Sequence, residues 1–326
     1  MVSWTVHYDM RAPAFGTPRP ALYAAALEQA AWLDEHGVTA IVVSEHHGEE
    51  DGYLPSPLVM AAALAARTRR AMLSVNALPL SLHNPVAAAE QCQVVDQLSG
   101  GRLVLTLVPG YVASEFALYG VPFDGRGRLL DEKLAVFLRA LTGEPFEHGG
   151  RTVTVTPGPV QRPRPMVFIG GASAVAARRA ARFGDGFALG GPERGLGAVY
   201  REACAELGRE PGPVLVPPTP MAVHVAEDPE AAWAKIAPHA LHELDRYNAW
   251  AAGFEGHLYE GLADPDQARR DGFYAVVTPE ECVEVARRLQ AEGSTVLFKP
   301  LIGGLDPAVS WASFELFVDE VLPALT

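Results

Sequence analysis

The 326-residue chain is poor in cysteine and in lysine. Its three cysteines, Cys92, Cys204 and Cys282, are scattered and form no CxxC pair, which argues against a disulfide framework, and a reducing, cytoplasmic setting is expected. Lysine occurs three times among the 26 basic residues, which face 39 acidic ones, and the formal net charge is −13. Because affinity for nucleic acid depends on Lys and Arg at phosphates, we expect no nucleic-acid partner.

Long apolar runs and several catalytic motifs are also missing. The longest apolar run, Leu58 to Ala66, is far shorter than the roughly 20 residues of a membrane span, and the first residues do not resemble a signal peptide. We therefore expect no membrane partner. The chain has no Walker A sequence, no GxSxG and no HExxH, which argues against a nucleotide triphosphatase, a serine hydrolase and a zinc protease.

What the chain does contain is an alternation of short apolar runs with longer helical patterns. Most of the runs are continuously apolar, which is typical of parallel strands buried on both faces. The predicted strands are Trp4–Tyr8, Ala40–Ser44, Met72–Ala77, Leu103–Val108, Met166–Gly170, Gly186–Leu189, Met221–Val225 and Thr295–Pro300. Five helices are expected to begin at a capping side chain followed by proline. These sites are Ser56-Pro57, Asn84-Pro85, Asp228-Pro229, Thr278-Pro279 and Asp306-Pro307.

Eight strands alternating with helices favour a single α/β domain over residues 1–326, a (β/α)8 TIM barrel. The alternative is an open doubly wound sheet, but its usual GxGxxG after the first strand is missing. Three stretches exceed ordinary loop length, at about 109–126, 144–165 and 239–277. We expect them to form insertion loops at the carboxyl face, with the third acting as an aromatic lid and Arg151–Thr156 forming a β ribbon.

Polar residues follow the predicted strands, where a barrel carries its chemistry. Glu45-His46-His47 follows the second strand. Adjacent residues on an extended strand point to opposite sides, so the two imidazoles are not expected to converge on a metal ion. A metal-dependent barrel hydrolase is kept as a minor alternative, and for His47 we expect an ordinary hydrogen bond in the barrel mouth.

The segment Gly170-Gly171-Ala172-Ser173 joins a predicted strand to a predicted helix. Free N–H groups and the helix dipole make such a turn a candidate phosphate cradle, and Ser173 can cap the helix. An ordinary strand-to-helix turn has the same appearance. The pattern therefore leaves both interpretations open.

Taken in order, these motifs resemble the luciferase-like flavin-dependent oxidoreductases over nearly the whole chain. The matching segments are Ile41–His47, Asp96–Arg102, Gly110–Phe116, Tyr119–Phe123, Pro159–Pro163, Phe168–Gly171, Ala181–Gly186 and Thr278–Cys282. The family includes monooxygenases that use reduced FMN and enzymes that use the deazaflavin F420. The resemblance implies an enzyme with a small-molecule substrate, a separate flavin reductase that supplies FMNH2, and a homodimer.

The resemblance also implies roles for individual residues. His46 matches a histidine beside the flavin and is the expected catalytic residue. Asn76-Ala77 matches a non-proline cis peptide behind the flavin ring, while Val108 and Gly110 match the loop after the fourth strand. Gly170, Gly171, Ala172 and Ser173 match the segment that approaches the flavin phosphate. The chain departs from bacterial luciferase at Pro109, where that enzyme has an arginine for the phosphate, so backbone amides or another arginine must serve here.

The predicted function is a flavin-dependent monooxygenase that uses reduced FMN and O2 on a small organic substrate. The same fold serves F420-dependent hydride transfer, which is the main alternative. F420 has a long anionic tail, and no run of Lys or Arg is seen at the strand ends, so FMN is favoured. A non-catalytic flavin-binding partner subunit is a further alternative.

Overall fold

The computed structural model describes residues 2–251 and 257–325. The strands in this part of the chain are β1 (Trp4–Tyr8), β2 (Ala40–Val43), β3 (Met72–Pro79), β4 (Leu103–Val108), β5 (Phe146–His148), β6 (Arg151–Val153), β7 (Met166–Gly171), β8 (Gly186–Leu189), β9 (Val214–Leu215), β10 (Ala222–Val225), β11 (Tyr274–Val277) and β12 (Val296–Phe298). The helices are α1 (Arg19–Glu35), α2 (Pro57–Arg67), α3 (Pro85–Ser99), α4 (Ala113–Leu118), α5 (Arg126–Ala140), α6 (Ala174–Phe183), α7 (Leu196–Glu206), α8 (Pro229–Trp250), α9 (Pro265–Arg270), α10 (Pro279–Ala291) and α11 (Pro307–Leu316).

Eight of these strands form one parallel sheet in the order β12-β1-β2-β3-β4-β7-β8-β9. Strands β10 and β11 form a separate parallel pair, and β5 with β6 forms an antiparallel hairpin. Residues of β2 and of the first half of β3 alternate between fully buried and half-buried positions, so the burial on both faces that continuous apolar runs predicted is incomplete. Fully buried examples from neighbouring strands are Val6, Ile41, Val75 and Leu105. The α/β class and the parallel sheet are as predicted.

The segment that forms the seventh strand of the eight-stranded sheet differs from the predicted one. The predicted strand Met221–Val225 forms as β10, but it pairs with β11, with Val223 beside Ala275. The seventh place is taken by β9, which is only two residues long and lies in a proline-rich stretch that the sequence analysis did not assign to a strand. Between β9 and β12 no strand ladder is present in the described residues.

The predicted helix starts are confirmed. Proline is the first residue of α2, α3, α8, α10 and α11. Asn84, Asp228, Thr278 and Asp306 each accept a backbone N–H from the first turn, and Thr278 completes a capping box with Glu281. Ser56 makes no such side-chain bond. Capping therefore fixes most of the strand-to-helix junctions locally.

The three insertions have different structures. The first contains α4, and the second contains the β5–β6 hairpin. The ribbon predicted at Arg151–Thr156 forms, but its strand ends at Val153. The third, predicted over 239–277, contains the second half of α8, then α9 and β11, and its residues 252–256 lie outside the described part of the chain. No helix in the described residues is both long and apolar enough to cross a bilayer.

Candidate active site

The predicted site residues lie at the carboxyl ends of four adjacent strands. His46 follows β2, Asn76 and Ala77 lie near the end of β3, Val108 ends β4, and Gly170 and Gly171 end β7. Because β2, β3, β4 and β7 are parallel neighbours, these ends meet at one edge of the sheet. The structure therefore brings together residues that are far apart in sequence.

His46 is held by a carboxylate from the first insertion. Its Nδ1 lies 2.8 Å from Oε1 of Glu115, which is in the first turn of α4. The same oxygen accepts the backbone N–H of His47 at 2.9 Å. Glu115 is 2% exposed, and charge-assisted bonds to such a buried carboxylate are strong. Nδ1 of His46 therefore donates to Glu115, and Nε2 is the nitrogen left for chemistry.

Aromatic side chains surround the ring of His46. The indole of Trp250 stacks on it with centroids 3.9 Å apart, and Tyr53 meets it edge-on at 4.9 Å. The Tyr111 hydroxyl lies 3.5 Å from Nε2. Trp250 and its neighbour Tyr247 come from α8, in the insertion predicted to be an aromatic lid. This surrounding keeps bulk water from the imidazole.

His47 points to the other side and makes ordinary hydrogen bonds, as predicted for it. Its Nε2 donates to Oε1 of Glu45 at 2.7 Å, and Tyr119 donates its hydroxyl to Nδ1 at 3.0 Å. His83, from the loop after β3, also donates Nε2–H to Oε1 of Glu45 at 2.6 Å. Burial opposes ionisation of Glu45, but the bonds from His47 and His83 hold its pKa below the ordinary value.

Glu45, His47 and His83 bring three possible metal-ligand atoms within 4.8 Å of one another. The alternation argument is consistent with this cluster, because Glu45 and His47 are two residues apart and share a side. Ligand atoms around a tetrahedral zinc ion at roughly 2.1 Å would lie about 3.4 Å apart, whereas His47 and His83 approach Glu45 at hydrogen-bond distances of 2.7 and 2.6 Å. The absence of a metal in the enzyme stays a prediction.

The peptide bond Asn76–Ala77 is cis, as predicted. The Ser44 hydroxyl donates a hydrogen bond of 2.5 Å to the Asn76 carbonyl oxygen, and it lies 2.8 Å from Nε2 of His7. Burial, together with the positive charges of Lys299 and Arg11, lowers the pKa of His7 to about 3, so His7 is neutral and donates Nε2–H to Ser44. The Asn76 side chain is exposed although it lies inside β3, which indicates open space beside it at this edge.

The loop after β4 is tightly packed at Gly110. Its φ is +82°, and a Cβ atom would come within 3.0 Å of the Phe116 ring and 3.4 Å of the Pro79 side chain. Glycine is therefore required here both for its backbone conformation and for space. Arg126 donates Nε–H to the Gly110 carbonyl oxygen at 3.2 Å. This bond brings a guanidinium to the loop in which Pro109 replaces the expected arginine.

The Gly170–Ser173 turn packs closely against neighbouring elements and caps α6. A Cβ on Gly170 would lie 2.7 Å from the Val108 side chain, and one on Gly171 would lie 2.5 Å from the Cβ of Ala176. Ser173 caps α6 by accepting the N–H of Ala176 at 3.2 Å, and Ala172 and Ser173 are exposed. The two glycines thus let β7 approach β4 and α6 closely. A phosphate site at the exposed amino end of α6 stays a prediction.

Sequence reasoning missed two important charged residues. Glu115 lay in the motif Gly110–Phe116 but was given no role. Arg11 follows β1, is fully buried, and its guanidinium pairs with Asp51. The only sequence signal for Arg11 was its position just beyond the end of a predicted strand, where barrel active-site residues occur.

Comparison with known proteins identifies the family. The model of the luciferase-like monooxygenase family matches residues 7–295. The chain therefore belongs to the luciferase-like monooxygenase family, and the prediction of an enzyme of this class is confirmed. The match covers both strand-end histidines and every predicted cofactor-binding residue.

Individual relatives are more distant. The chain is 25% identical to limonene 1,2-monooxygenase of Rhodococcus erythropolis over 331 residues, which cover 91% of this chain and 80% of that protein. It is 30% identical to the FMNH2-dependent dimethylsulfone monooxygenase of Pseudomonas putida over 169 residues, 48% of this chain and 45% of that protein. For several curated relatives, the match spans about half of their length or less.

Solved structures agree on the fold. The monooxygenase RslO1 of Streptomyces bottropensis superposes with a TM-score of 0.79 at 23% identity, covering 99% of this chain and all of that one. An F420-dependent secondary alcohol dehydrogenase superposes with a TM-score of 0.68 at 16% identity and covers both chains fully. Similarity at this level of identity defines the fold alone.

Proposed function

We propose that this chain is a flavin-dependent monooxygenase that uses reduced FMN and O2 to oxygenate a small organic substrate. The observation that carries the proposal is the meeting of His46, Asn76–Ala77, Val108–Gly110 and Gly170–Ser173 at the ends of four adjacent strands. The name of the FMNH2-dependent relative supports the choice of cofactor. Because the flavin contacts were inferred from the resemblance, they stay part of the proposal.

The residues at this edge fit a planar, phosphorylated cofactor. The exposed Asn76 side chain and the half-buried Ala77 line open space above β3. Gly170 and Gly171 leave the backbone bare beside the amino end of α6, where N–H groups and the helix dipole favour a phosphate. Arg126, held at the Gly110 carbonyl, is our candidate for the phosphate charge in place of the arginine missing at Pro109.

Bound reduced FMN would supply the two electrons that O2 activation requires. His46 would act through Nε2, donating or moving a proton at the oxygen that develops charge, a role to which imidazole is suited near neutral pH. Glu115 would hold His46 in the tautomer protonated on Nδ1 and stabilise its cationic form. Trp250, Tyr53 and Tyr247 would exclude water from the reacting atoms.

F420-dependent hydride transfer is the second candidate, because an F420-dependent dehydrogenase has the same fold. FMN is favoured because Arg11 is the one arginine or lysine in the segments that follow β1, β2, β3, β4 and β7 in the described chain, and it is buried. The long anionic tail of F420 would require an exposed basic channel.

The proposal has consequences for partners and architecture. A separate flavin reductase would supply FMNH2, and the enzyme would act as a homodimer. We also propose that the strands complete a (β/α)8 barrel, with β10 packing beside β12 where the hydrogen-bonded sheet ends.

An anaerobic titration tests the proposal. The protein is titrated with FMNH2 and, separately, with reduced F420, and oxygen is then admitted. Saturable FMNH2 binding, followed by reoxidation slower than that of free FMNH2, supports the monooxygenase. Tight F420 binding with FMNH2 ignored would replace it with the hydride-transfer alternative. Binding of neither cofactor would contradict both.

A further inference from the structure

Arg11 has two buried donors that nothing in the described chain satisfies. The side chain is 0% exposed, and its Nη1 pairs with Oδ2 of Asp51. Nε and Nη2 have no hydrogen-bond partner in the described residues. Buried donors are almost always paired, and leaving one unpaired costs about 1–3 kcal/mol. Two such donors on one guanidinium therefore indicate a missing acceptor.

The nearby carboxylate of Asp9 does not fill this role. Its Oδ2 lies 3.8 Å from Nε of Arg11, too far for a hydrogen bond, while its Oδ1 accepts the Arg11 backbone N–H at 3.0 Å. Nε–H and Nη2–H point in parallel from one side of a guanidinium, the arrangement that grips a planar oxygen acceptor. Arg11 thus holds Asp51 with one nitrogen, and its other two nitrogens form a buried two-donor edge without an acceptor in the described residues.

This edge lies within the same aromatic enclosure as His46. The guanidinium carbon is 4.4 Å from the Trp250 ring centre and 4.7 Å from that of Tyr53. Trp250 and Tyr53 are also the rings that contact the His46 imidazole. Because the His46 imidazole and the Arg11 guanidinium lie 3.9 and 4.4 Å from the centre of the Trp250 ring, Trp250 stands between them. A ligand bound at Arg11 would reach the imidazole only where the Trp250 ring turns aside.

The charge balance around Arg11 selects the kind of acceptor. Asp9 and Asp51 already neutralise the guanidinium, His242 bonds to Asp51 at 2.8 Å, and the nearby Lys299 is paired with Glu243 at 2.6 Å. A carboxylate on the ligand would be repelled by Asp9 and Asp51, which already balance the charge of Arg11. A neutral carbonyl oxygen accepts two hydrogen bonds through its two lone pairs without that repulsion.

We propose that Nε–H and Nη2–H of Arg11 bind the carbonyl oxygen of an uncharged, ring-containing ketone. Calling this ketone the substrate rests on the proposed function. The aromatic rings bind the apolar body of the ligand, and Arg11 fixes its orientation relative to His46. Arg11 is therefore a specificity-determining residue of the site, and Asp51 positions it.

Binding of matched probes tests the proposal without flavin or turnover. The full chain is titrated calorimetrically with 1-tetralone, with the hydrocarbon tetralin and with tetralin-1-carboxylate. We expect the ketone to bind about ten- to a hundredfold more tightly than the hydrocarbon, and more tightly than the carboxylate. The carbonyl 13C resonance of labelled 1-tetralone should move downfield on binding, as a hydrogen-bonded carbonyl does.

Two variants locate the effect. Arg11→Lys retains a positive partner for Asp51 but lacks the two-donor edge, so it should lose the preference for the ketone while binding tetralin as before. Arg102→Lys is the matched control, because Arg102 precedes β4 at the opposite edge of the sheet and bonds to Thr68 and Ala71. It should retain the preference.

Several results of these binding experiments would contradict the proposed ketone site. Equal affinity for ketone and hydrocarbon, tightest binding of the carboxylate, an unchanged 13C shift, or no binding of any probe would overturn the proposal. If Arg11→Lys does not fold, the affinities and the 13C shift in the unmodified protein decide alone. Failure of the FMNH2 titration with a clear ketone preference would reject the monooxygenase but retain the ketone site.

Discussion

Oε1 of Glu115 lies 2.8 Å from Nδ1 of His46. The same oxygen accepts the His47 backbone N–H at 2.9 Å, so one buried carboxylate fixes both the imidazole and the end of strand β2 (Ala40–Val43). The side chains of the two histidines consequently face different surroundings. Substitutions of His46, His47 and Glu115 should therefore have different effects.

His46→Ala should reduce turnover by about 10²–10⁴-fold, the usual contribution of general acid–base assistance, with the protein still folded. His47→Ala should reduce turnover much less and instead lower the melting temperature, because it removes a buried partner of Glu45. Steady-state kinetics and thermal unfolding measure the two effects. Equal, small losses of turnover in both variants would mean that neither histidine is catalytic.

Glu115→Gln should reduce turnover by about 10- to 100-fold, because the imidazole loses the charged acceptor that orients it and small misplacements are costly. Glu115 is a positioning residue, so its effect should depend on His46. The double variant with His46→Ala should therefore be no slower than His46→Ala alone. Additive losses in this double-mutant cycle would show that Glu115 acts by another route.

Gly110→Ala should lower the free energy of unfolding by about 3 kcal/mol, of which about 1 kcal/mol comes from the left-handed backbone and the rest from the contact with Phe116. Gly37→Ala is the matched control, since its φ is +86° and a Cβ there meets nothing within 4 Å. It should lose only the backbone part. Chemical denaturation measures both, and equal losses would contradict the packing argument.

The free energy of unfolding should depend on pH in opposite directions through the two buried carboxylates of Asp9 and Asp51. Burial raises the pKa of Asp9 to about 6, so folding is penalised at pH 7 and stability increases as the pH falls through about 6. Burial opposes ionisation of Asp51, but His242 and Arg11 lower its pKa to about 2. Ionised Asp51 therefore contributes about 2 kcal/mol to the free energy of unfolding. This stabilisation is complete above about pH 4 and is lost as the pH falls towards 2.

Denaturation between pH 7 and pH 3 measures these two effects. Asp9→Asn should remove the gain in stability between pH 7 and pH 5, and Asp51→Asn should destabilise the protein at pH 7 and flatten the acid limb. A wild-type stability that falls steadily from pH 7 to pH 5, with Asp9→Asn unchanged from it, would contradict the assignment to Asp9.

Prolonged dialysis against a chelator should leave turnover unchanged, because Glu45, His47 and His83 are joined by hydrogen bonds of 2.6 and 2.7 Å. Elemental analysis of the purified enzyme, before and after dialysis, accompanies the activity assay. Activity that is lost with the chelator and restored by zinc would make this cluster a metal site.

Some of the fold followed from local signals that tertiary contacts did not override. Proline after a capping residue marked the starts of five helices, and four of the caps formed their bonds because capping involves only neighbouring backbone groups. Strand β9 (Val214–Leu215) was missed because two residues among prolines have no periodicity to detect. The pairing of β10 (Ala222–Val225) with β11 (Tyr274–Val277) joins segments about 50 residues apart, and a sequence pattern does not encode such a choice of partner.

The sequence by itself determined the α/β class and the family, because ordered motifs and apolar runs are local properties, and the family resemblance in turn implied the cis bond at Asn76–Ala77. Only the tertiary structure decided that Glu115 holds His46, that Glu45 joins His47 to His83, and that Arg11 presents two unsatisfied donors. These relationships depend on which strand and loop ends become neighbours, and on burial, which turns a missing partner into an energetic cost. The sequence shows that Arg11 carries a charge, whereas its unpaired buried donors exist only in the folded chain.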